Sequence, residues 1–277
     1  MKYKISELAK LLDISTNTVR RYEDKGYISA VRGESSGYRY YDDDGIFGIV
    51  NAKLLRKYGF THEKLQDMKG ISLQETMDAY EERMSDIDSQ IAYLTYLRHR
   101  MKDDCLLMQK AMGDTPVYEK DSVEQVYVLY KEGEKLLHEK ERLEKIHEFL
   151  YNSPEVQHIY IIPKAELDKG RFTLCCGWSV KQMHMDKYGM TENAYTRKYE
   201  SVHSVMGFVK IPATLSALAA CSEEEQKRLI IGKHLEYMKR NKMIIAGDIM
   251  CIIITRAVEN ETDMLYMLVS VPVARAM

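Results

Sequence analysis

The residues best suited to chemistry in this sequence lie at the start of one short predicted helix. Thr16, Asn17 and Thr18 carry short hydrogen-bonding side chains, and Arg20 and Arg21 follow within the next turn. Short polar side chains can bond to base edges in the major groove of DNA, and guanidinium groups can bond to phosphates or to guanine. This combination predicts a contact with nucleic acid.

Two helices must position these side chains. Apolar residues repeat at helical spacing from Ile5 to Leu12, a turn follows at residues 13–15, and a second helix is predicted from Thr16 to Lys25, where Gly26 ends it. Two short helices joined by a tight turn are typical of a helix-turn-helix. Many two-helix corners share this spacing without binding DNA, so the neighbouring sequence has to decide.

A basic aromatic segment follows the second helix. Residues 37–41 read Gly-Tyr-Arg-Tyr-Tyr after a loop rich in Gly and Ser, and three aspartates at 42–44 open the next helix. Arg39 can bond to phosphates, and the hydroxyl groups of Tyr38 and Tyr40 can donate to them. We interpret this segment as a wing beside the recognition helix.

A seven-residue repeat runs from Ser72 to about Met112. Of its ten seam positions, nine are apolar or aromatic: Met77, Met84, Ile91, Arg98 and Cys105 in one seam, and Tyr80, Ile87, Leu94, Met101 and Met108 in the other. A heptad repeat of this length predicts a coiled-coil helix from Leu73 to Met112, about 60 Å long. Ser72 and Glu75 form a capping box, and Gly-Asp-Thr-Pro at 113–116 ends the helix. The alternative is a long amphipathic helix that packs on its own chain.

The sequence from Thr18 to Ile28, together with the wing, resembles the N-terminal signature of the mercury-resistance-regulator (MerR) family of transcription factors. The resemblance continues through residues 53–60, Lys-Leu-Leu-Arg-Lys-Tyr-Gly-Phe, into the long helix, and so covers roughly residues 1–112. It implies a winged helix-turn-helix on an antiparallel coiled-coil homodimer. Such dimers bind a near-palindromic operator in double-stranded promoter DNA and distort it so that RNA polymerase engages both promoter elements.

The resemblance also assigns DNA contacts by position. They are Arg20, Tyr22, Arg39 and Tyr40, with Thr16, Asn17, Thr18, Arg21, Tyr38 and Lys57 as further candidates. At Arg21 many members of the family carry an aromatic residue or histidine, which leaves its contact open. Two alternatives remain: Tyr22 packs the second helix against the wing, and Lys57 belongs to a solvated helix face with Lys53 and Arg56.

Composition bounds the remaining possibilities. The chain of 277 residues has a net charge of -2, which argues against a general nucleic-acid binder, yet residues 1–70 carry 13 Lys and Arg against 10 Asp and Glu. The sequence shows neither a signal peptide nor a membrane-spanning run, so a cytoplasmic location is expected. The five cysteines lack metal-ligand spacing, and we expect no metal or cofactor. Cys175 and Cys176 are expected to be buried on opposite faces of a strand.

Residues 117–277 predict a mixed α/β domain with an internal repeat. Strands are predicted at 125–129, 159–162 and 172–180 and again at 207–211, 249–258 and 264–273, with extended chain at 215–220. Helices are predicted at 131–150 and from Ser222 to about Asn241, and a turn at 259–263. The order strand, helix, strand, strand occurs twice, which predicts a duplicated unit with a ligand cleft where its halves meet.

This layout resembles the gyrase-inhibitor-like (GyrI-like) effector domain of some MerR-family multidrug-responsive activators. That resemblance implies a site for a small hydrophobic or aromatic, often cationic, ligand. Drug-binding members place a glutamate at the position of Cys251, and a cysteine cannot supply its negative charge. The ligand-binding candidates are Tyr130, Phe172, Trp178, Cys251, Ile253 and Tyr266. For each of them, plain core packing is the alternative.

The sequence as a whole predicts an α+β protein in three parts. These are a winged helix-turn-helix at 1–71, a dimerisation helix at 72–113 and an effector-binding domain at 117–277. The predicted function is a ligand-responsive, DNA-binding transcriptional activator rather than an enzyme, since catalytic motifs are missing. The alternative is a small-molecule hydrolase or a ligand-sequestering protein with a MerR-type head.

Overall fold

The computed structural model describes residues 2–32, 38–113, 115–213 and 221–276. It divides into two compact units, Met1–Arg98 and His99–Met277. The predicted α+β class is confirmed: a helix-turn-helix with a wing, a long helix and a C-terminal duplicated sheet domain. Among the described residues, none of the helices combines the length and apolar character needed to cross a membrane.

The first unit is helical with one small sheet. Its helices are α1 (Ile5–Leu11), α2 (Thr16–Asp24), α3 (Asp43–Lys57), α4 (His62–Asp67) and the start of α5 (Leu73–Met112), and its strands are β1 (Tyr3–Lys4), β2 (Val31–Arg32) and β3 (Arg39–Tyr41). The sheet order is β1-β3-β2. One core holds the unit together, with Leu8, Val19, Tyr41 and Ile49 fully buried in it.

Helix α5 has the predicted bounds, Leu73–Met112. The capping box is present, because the Ser72 N–H donates to Glu75 Oε2 at 2.7 Å and the Glu75 N–H donates to Ser72 Oγ at 3.2 Å. Gly113 follows the helix, and of the predicted stop signal only Asp114 lies outside the described residues. Arg98, the one charged residue of the two seams, is exposed.

The second unit contains a large antiparallel sheet. Its strands are β4 (Tyr118–Asp121), β5 (Gln125–Glu132), β6 (Lys135–Leu136), β7 (Gln157–Ile162), β8 (Cys175–Lys181), β9 (Thr196–Tyr199), β10 (His203–Pro212), β11 (Met243–Ile245), β12 (Ile249–Glu259) and β13 (Thr262–Arg275). Its helices, besides the end of α5, are α6 (Lys140–Tyr151), α7 (Lys164–Leu167), α8 (Gln182–Met185) and α9 (Glu223–Arg240), with a 3-10 turn at Asp186–Tyr188.

The predicted duplication is confirmed by the strand order, β4-β10-β13-β12-β7-β8-β5-β6, with β9 also pairing with β5. Each repeat runs strand, helix, strand, strand, as β5-α6-β7-β8 and β10-α9-β12-β13. The repeats meet at the antiparallel pair of β7 and β12, where Cys251 lies opposite Tyr160. The sheet order on one side of this pair therefore mirrors the order on the other.

One local prediction differs from the structure, and another lies outside the described residues. The predicted helix at 131–150 begins only at Lys140, because β5 continues to Glu132 and a turn at Gly133, with φ of 55°, leads into β6. Pairing of Lys131 with Cys176 of β8 extends the strand. The predicted extended segment at 215–220 lies outside the described residues.

The two faces of the sheet carry separate cores. Helices α6 and α9 cover one face, which buries Cys176, Cys251 and Met267. Cys175, Ile161 and Met250 belong to a cluster on the opposite face. Cys175 and Cys176 are 3% and 2% exposed, so both are buried on opposite faces as expected.

A histidine is buried between α9 and the sheet. His234 is 1% exposed, and neither ring nitrogen has a hydrogen-bond partner among the described residues. The strand can approach the ring because residue 207 is glycine: a Cβ there would lie 2.8 Å from His234 Nε2. Burial lowers the pKa of His234 to about 4, and the main chain of Val269 opposes this only in part.

This pKa predicts acid sensitivity of the fold. Between the ordinary value of 6.5 and the folded value of about 4, the unfolded chain binds more protons than the folded one. Stability from the neutral ring is therefore complete above pH 6.5 and is lost as the pH falls towards 4, by up to about 3 kcal/mol. Urea titrations at pH 7 and pH 4 measure the free energy of unfolding. Between these pH values it should fall by about 3 kcal/mol less in His234→Leu than in the wild type. Equal losses would contradict the prediction.

Candidate functional site

The start of α2 presents the polar residues singled out in the sequence. Ser15 caps the helix, since its Oγ accepts the Thr18 N–H at 3.0 Å and lies 2.8 Å from Thr18 Oγ1. Asn17 is exposed, while Thr16 and Thr18 are half-buried. The turn before the helix passes through Asp13, with φ of 50°, and the Ile14 N–H donates to Ala9 O at 3.0 Å. Hydrogen-bonding groups are thereby held at the tip of the helix.

The two arginines of α2 are both exposed. Arg20 Nη1 donates to Asn17 Oδ1 at 3.4 Å, a long bond that leaves most of the guanidinium donors available. A helix that presents amide, hydroxyl and guanidinium groups can bond to base edges and phosphates together.

The wing adds a second pair of arginines. Arg32 in β2 lies directly opposite Arg39 in β3, and Val31 lies opposite Tyr40. Like charges placed directly opposite each other are unfavourable in a sheet unless an anion neutralises them. Tyr38 is 68% exposed and Tyr40 is half-buried. Residues 33–37, including the predicted wing residue Gly37, lie outside the described residues.

One carboxylate joins the wing to α2. Glu23 Oε2 accepts a hydrogen bond from Tyr41 OH at 2.9 Å and one from Arg39 Nη1 at 3.4 Å. The Tyr41 side chain is fully buried. Burial, and then the adjacent carboxylate, raises the pKa of Tyr41 to about 12, so the hydroxyl stays protonated and donates. This contact sets the position of Arg39 relative to the recognition helix.

We expect Tyr41→Phe to destabilise the first unit by about 1–2 kcal/mol, because it removes the donor to a half-buried carboxylate. Urea denaturation measures the change. The matched control is Tyr38→Phe, whose exposed hydroxyl should contribute less than about 0.5 kcal/mol. Equal stability of the two variants would contradict the role given to the Tyr41–Glu23 bond.

Two other sequence candidates differ in accessibility. Tyr22 is 9% exposed and its ring lies 5.7 Å from that of Tyr27, which favours the packing alternative over a DNA contact. Lys57 is exposed at the end of α3. Arg56, its neighbour, donates to Phe60 O at 2.5 Å and so closes the end of that helix. Arg32 was not among the residues predicted from the sequence, although its position opposite Arg39 in the hairpin indicates it.

Five of the six ligand-binding candidates pack in two hydrophobic clusters of the second unit. Phe172, Cys251 and Ile253 pack in the core under α9, and Tyr130 and Trp178 pack towards α6. Tyr266 is buried and donates to Glu259. Tyr130 forms an aromatic cluster with His158 and Trp178, in which Tyr130 OH lies 2.8 Å from His158 Nε2. Their ligand role stays a prediction.

Cys251 is fully buried, and burial raises the pKa of its thiol to about 12. The side chain is therefore neutral at physiological pH. It cannot supply the counter-charge that a buried cation requires.

Comparison with known proteins finds similarity within the first unit. Residues 4–41 match the model of the MerR family regulatory proteins. Within this match, α1 and α2 form the helix-turn-helix. The chain is 29% identical over 103 residues to the nodulation protein NolA of Bradyrhizobium elkanii, covering 37% of this chain and 46% of that protein. It is 25% identical over 113 residues to the HTH-type transcriptional regulator ZntR of Escherichia coli, covering 37% of this chain and 80% of that one.

Two solved structures align with longer parts of the chain. The EcmrR structure from an EcmrR–DNA complex aligns over 99% of this chain and 100% of that one, with 15% identity and a TM-score of 0.35. A hydrolase from Listeria innocua aligns over 57% of this chain and 92% of that one, with 7% identity and a TM-score of 0.33. Scores this low support no conclusion about the second unit, and its GyrI-like assignment stays a prediction.

Proposed function

We propose that this protein is a homodimeric transcriptional regulator that binds double-stranded promoter DNA through α2 and the wing. The observation that carries the proposal is the convergence of four arginines, two on α2 and two on the wing strands, in a segment that matches the MerR family. Arg20 and Arg21 face solvent from the recognition helix, and Arg39 is held beside it through Glu23. Phosphates of the duplex would neutralise this group of cations.

The apolar seams of α5 support the homodimer. Met77, Ile91, Leu94 and Met101 are 49%, 56%, 62% and 67% exposed. Large apolar side chains at heptad spacing are buried when a second helix packs against them. Tyr80 is an exception, because it packs against Phe60 within its own unit. We propose that a second copy of the chain covers the remaining seam.

A dimer with two recognition helices would bind two half-sites, so the operator would be near-palindromic. By the MerR resemblance, we propose that binding twists and kinks promoter DNA and thereby recruits RNA polymerase through the DNA. This mode of action would place the protein in the cytoplasm.

We further propose that the second unit binds a small hydrophobic or aromatic compound that modulates activation. The duplicated sheet carries helices on one face, and the other face has a cavity in which a ligand can bind. The alternative of a hydrolase with a nucleophilic cysteine is disfavoured for Cys175 and Cys251, because burial raises the pKa of each thiol and thiolates are the reactive form.

Selection from a library of random DNA duplexes tests the regulator proposal. The purified full-length protein should enrich a near-palindrome with two half-sites, and Arg20→Ala should abolish the enrichment. The matched control is Arg240→Ala, which removes an exposed arginine of the second unit. If the wild type enriches no sequence, the proposal fails.

A further inference from the structure

A cavity of about 350 Å³ lies on the face of the sheet that α6 and α9 do not cover. Its floor comes from alternate residues of β10, β12 and β13, whose side chains share one face. Phe208, Leu268 and Ile252 lie side by side in one row across the three strands. Met206, Ser270 and Met250 form the adjacent row. Phe208, Leu268 and Ile252 are only half-buried, so the floor offers apolar surface to a ligand.

A β-bulge closes one side of this floor. The pairing of β12 with β13 shifts between Ile253 and Thr255, which leaves Ile254 as an extra residue in β12. Bulges of this kind bend a strand and redirect its side chains. Ile254 consequently contributes to the cavity wall together with Ile252.

The C-terminal part of α5 forms the opposite wall. Arg100, Asp103, Leu107 and Lys110 line the cavity at spacings of three and four residues, so they share one face of the helix. Leu106 joins them from the adjacent position. These residues belong to the second unit, so the site is complete within it.

The charges around the cavity favour an anion. Four cations line it, Arg100, Lys110, Lys120 and Lys181, against two carboxylates, Asp103 and Asp121. The Asp121 carboxylate is also engaged elsewhere, since its Oδ1 lies 3.2 Å from His203 Nδ1. The cavity therefore combines an apolar floor with a positively charged rim.

Arg100 is the most informative of these cations. Its side chain is 17% exposed, and Nη2 lies 3.1 Å from Asp104 Oδ1. Its Nε is buried without a hydrogen-bond partner among the described residues. A buried N–H without a partner is unfavourable, and a guanidinium pairs well with a carboxylate through two parallel hydrogen bonds. An anionic headgroup in the cavity would supply the missing acceptor.

We propose that this cavity binds a small amphiphilic carboxylate, whose headgroup pairs with Arg100 and whose apolar part covers Phe208 and Leu268. The inference rests on the proposed small-molecule sensing and names its site and ligand class. The volume lies at the lower end of the range for ligand sites, so the ligand is small. The site is separate from Cys251, which points to the opposite face, and it would take an anion where the GyrI-like resemblance implies a cation.

Binding here would act on α5 directly. The helix contributes five of the lining residues, so a ligand would add contacts to its last three turns. Ligand binding should therefore slow amide hydrogen exchange in residues 100–110 relative to the ligand-free protein.

Isothermal titration calorimetry with three probes of equal chain length tests the proposal on the full-length protein. Decanoate should bind, and decanol and decyltrimethylammonium should bind at least tenfold more weakly. Arg100→Gln should weaken decanoate binding at least tenfold, and Arg100→Lys should weaken it less, because the charge remains. The matched control is Arg240→Gln, an exposed arginine on α9, which should bind like the wild type.

Three results would overturn the inference: no decanoate binding at millimolar concentration, equal binding of the cationic probe, or unchanged affinity in Arg100→Gln. Thermal unfolding shows whether each variant is folded. If Arg100→Gln does not fold, the decanoate affinity of Arg100→Lys provides the test. Binding of the selected DNA duplex is measured separately, without decanoate. A protein that binds the duplex but no decanoate rejects this inference alone, whereas failure to enrich DNA rejects the proposed regulator.

Discussion

Replacing both Ile91 and Leu94 with glutamate should convert the protein into a monomer and abolish binding to its operator. Each side chain is more than half exposed in the single chain, and burying such a residue contributes about 1.5–3 kcal/mol. A dimer has four of these positions, and glutamates there would also have to be buried without partners. Dimerisation should therefore weaken by more than about a thousandfold.

Sedimentation equilibrium measures this change, and a gel-shift assay measures the effect on DNA. The control is a double variant of the same helix, Ser89→Glu with Ala92→Glu, at exposed positions outside both seams. It adds the same charge and should remain dimeric. A dimeric Ile91/Leu94 variant, or a monomeric control, would show that the seams do not form the interface.

Arg39→Ala should weaken operator binding and reduce its dependence on salt. Each lost phosphate contact reduces the slope of log K against log salt by about 0.9, so a dimer that loses two should show a slope lower by about two. The fold should be retained, because the Tyr41–Glu23 hydrogen bond remains after the substitution.

Fluorescence anisotropy at four salt concentrations provides the slopes for Arg39→Ala. Arg240→Ala, which removes an exposed arginine from the second unit, should keep the wild-type slope. Because phosphate contacts carry no sequence information, the loss for Arg39→Ala should be similar on specific and unrelated duplexes. An unchanged slope would remove Arg39 from the interface.

Most of the predicted helices were found from signals between residues close together in the sequence. Capping residues marked the starts of α5 and α9 at Ser72 and Ser222, and in both cases the side-chain oxygen accepts the expected backbone N–H. The bounds of α5 followed from a single repeat kept over ten seam positions. These features depend only on residues three or four apart, which the sequence shows directly.

Pairing between strands that are far apart in the sequence explains the features that were not predicted. Residues 131–139 are rich in Lys and Glu and favour a helix locally, but pairing of Lys131 with Cys176 and the turn at Gly133 make them a strand and a hairpin. The cavity was missed for the same reason, because Phe208, Ile252 and Leu268 meet only through strand register. The alternation of side chains along a strand predicts that neighbouring residues lie on opposite faces of the sheet. It does not predict which face the helices leave uncovered.

The recognition residues were easier to find than the ligand residues. Thr16 to Arg21 lie within two turns of one helix, so their proximity follows from the helix itself. The ligand candidates came from the GyrI-like resemblance, and the structure packs Cys251 and Phe172 in the core under α9. Burial in that core depends on α9, which is distant in sequence from both residues.

Footprinting of the selected duplex, with dimethyl sulfate to report guanine N7 in the major groove and hydroxyl radicals to report the sugar backbone, tests the central claim most directly. The wild-type dimer should protect two symmetric half-sites, each with a major-groove segment from α2 and a flanking segment from the wing. Arg39→Ala should lose the flanking protection in both halves, and Arg20→Ala should lose the major-groove protection. Protection of a single asymmetric segment, or a wild-type pattern in both variants, would contradict the assignment of α2 and the wing as the DNA interface.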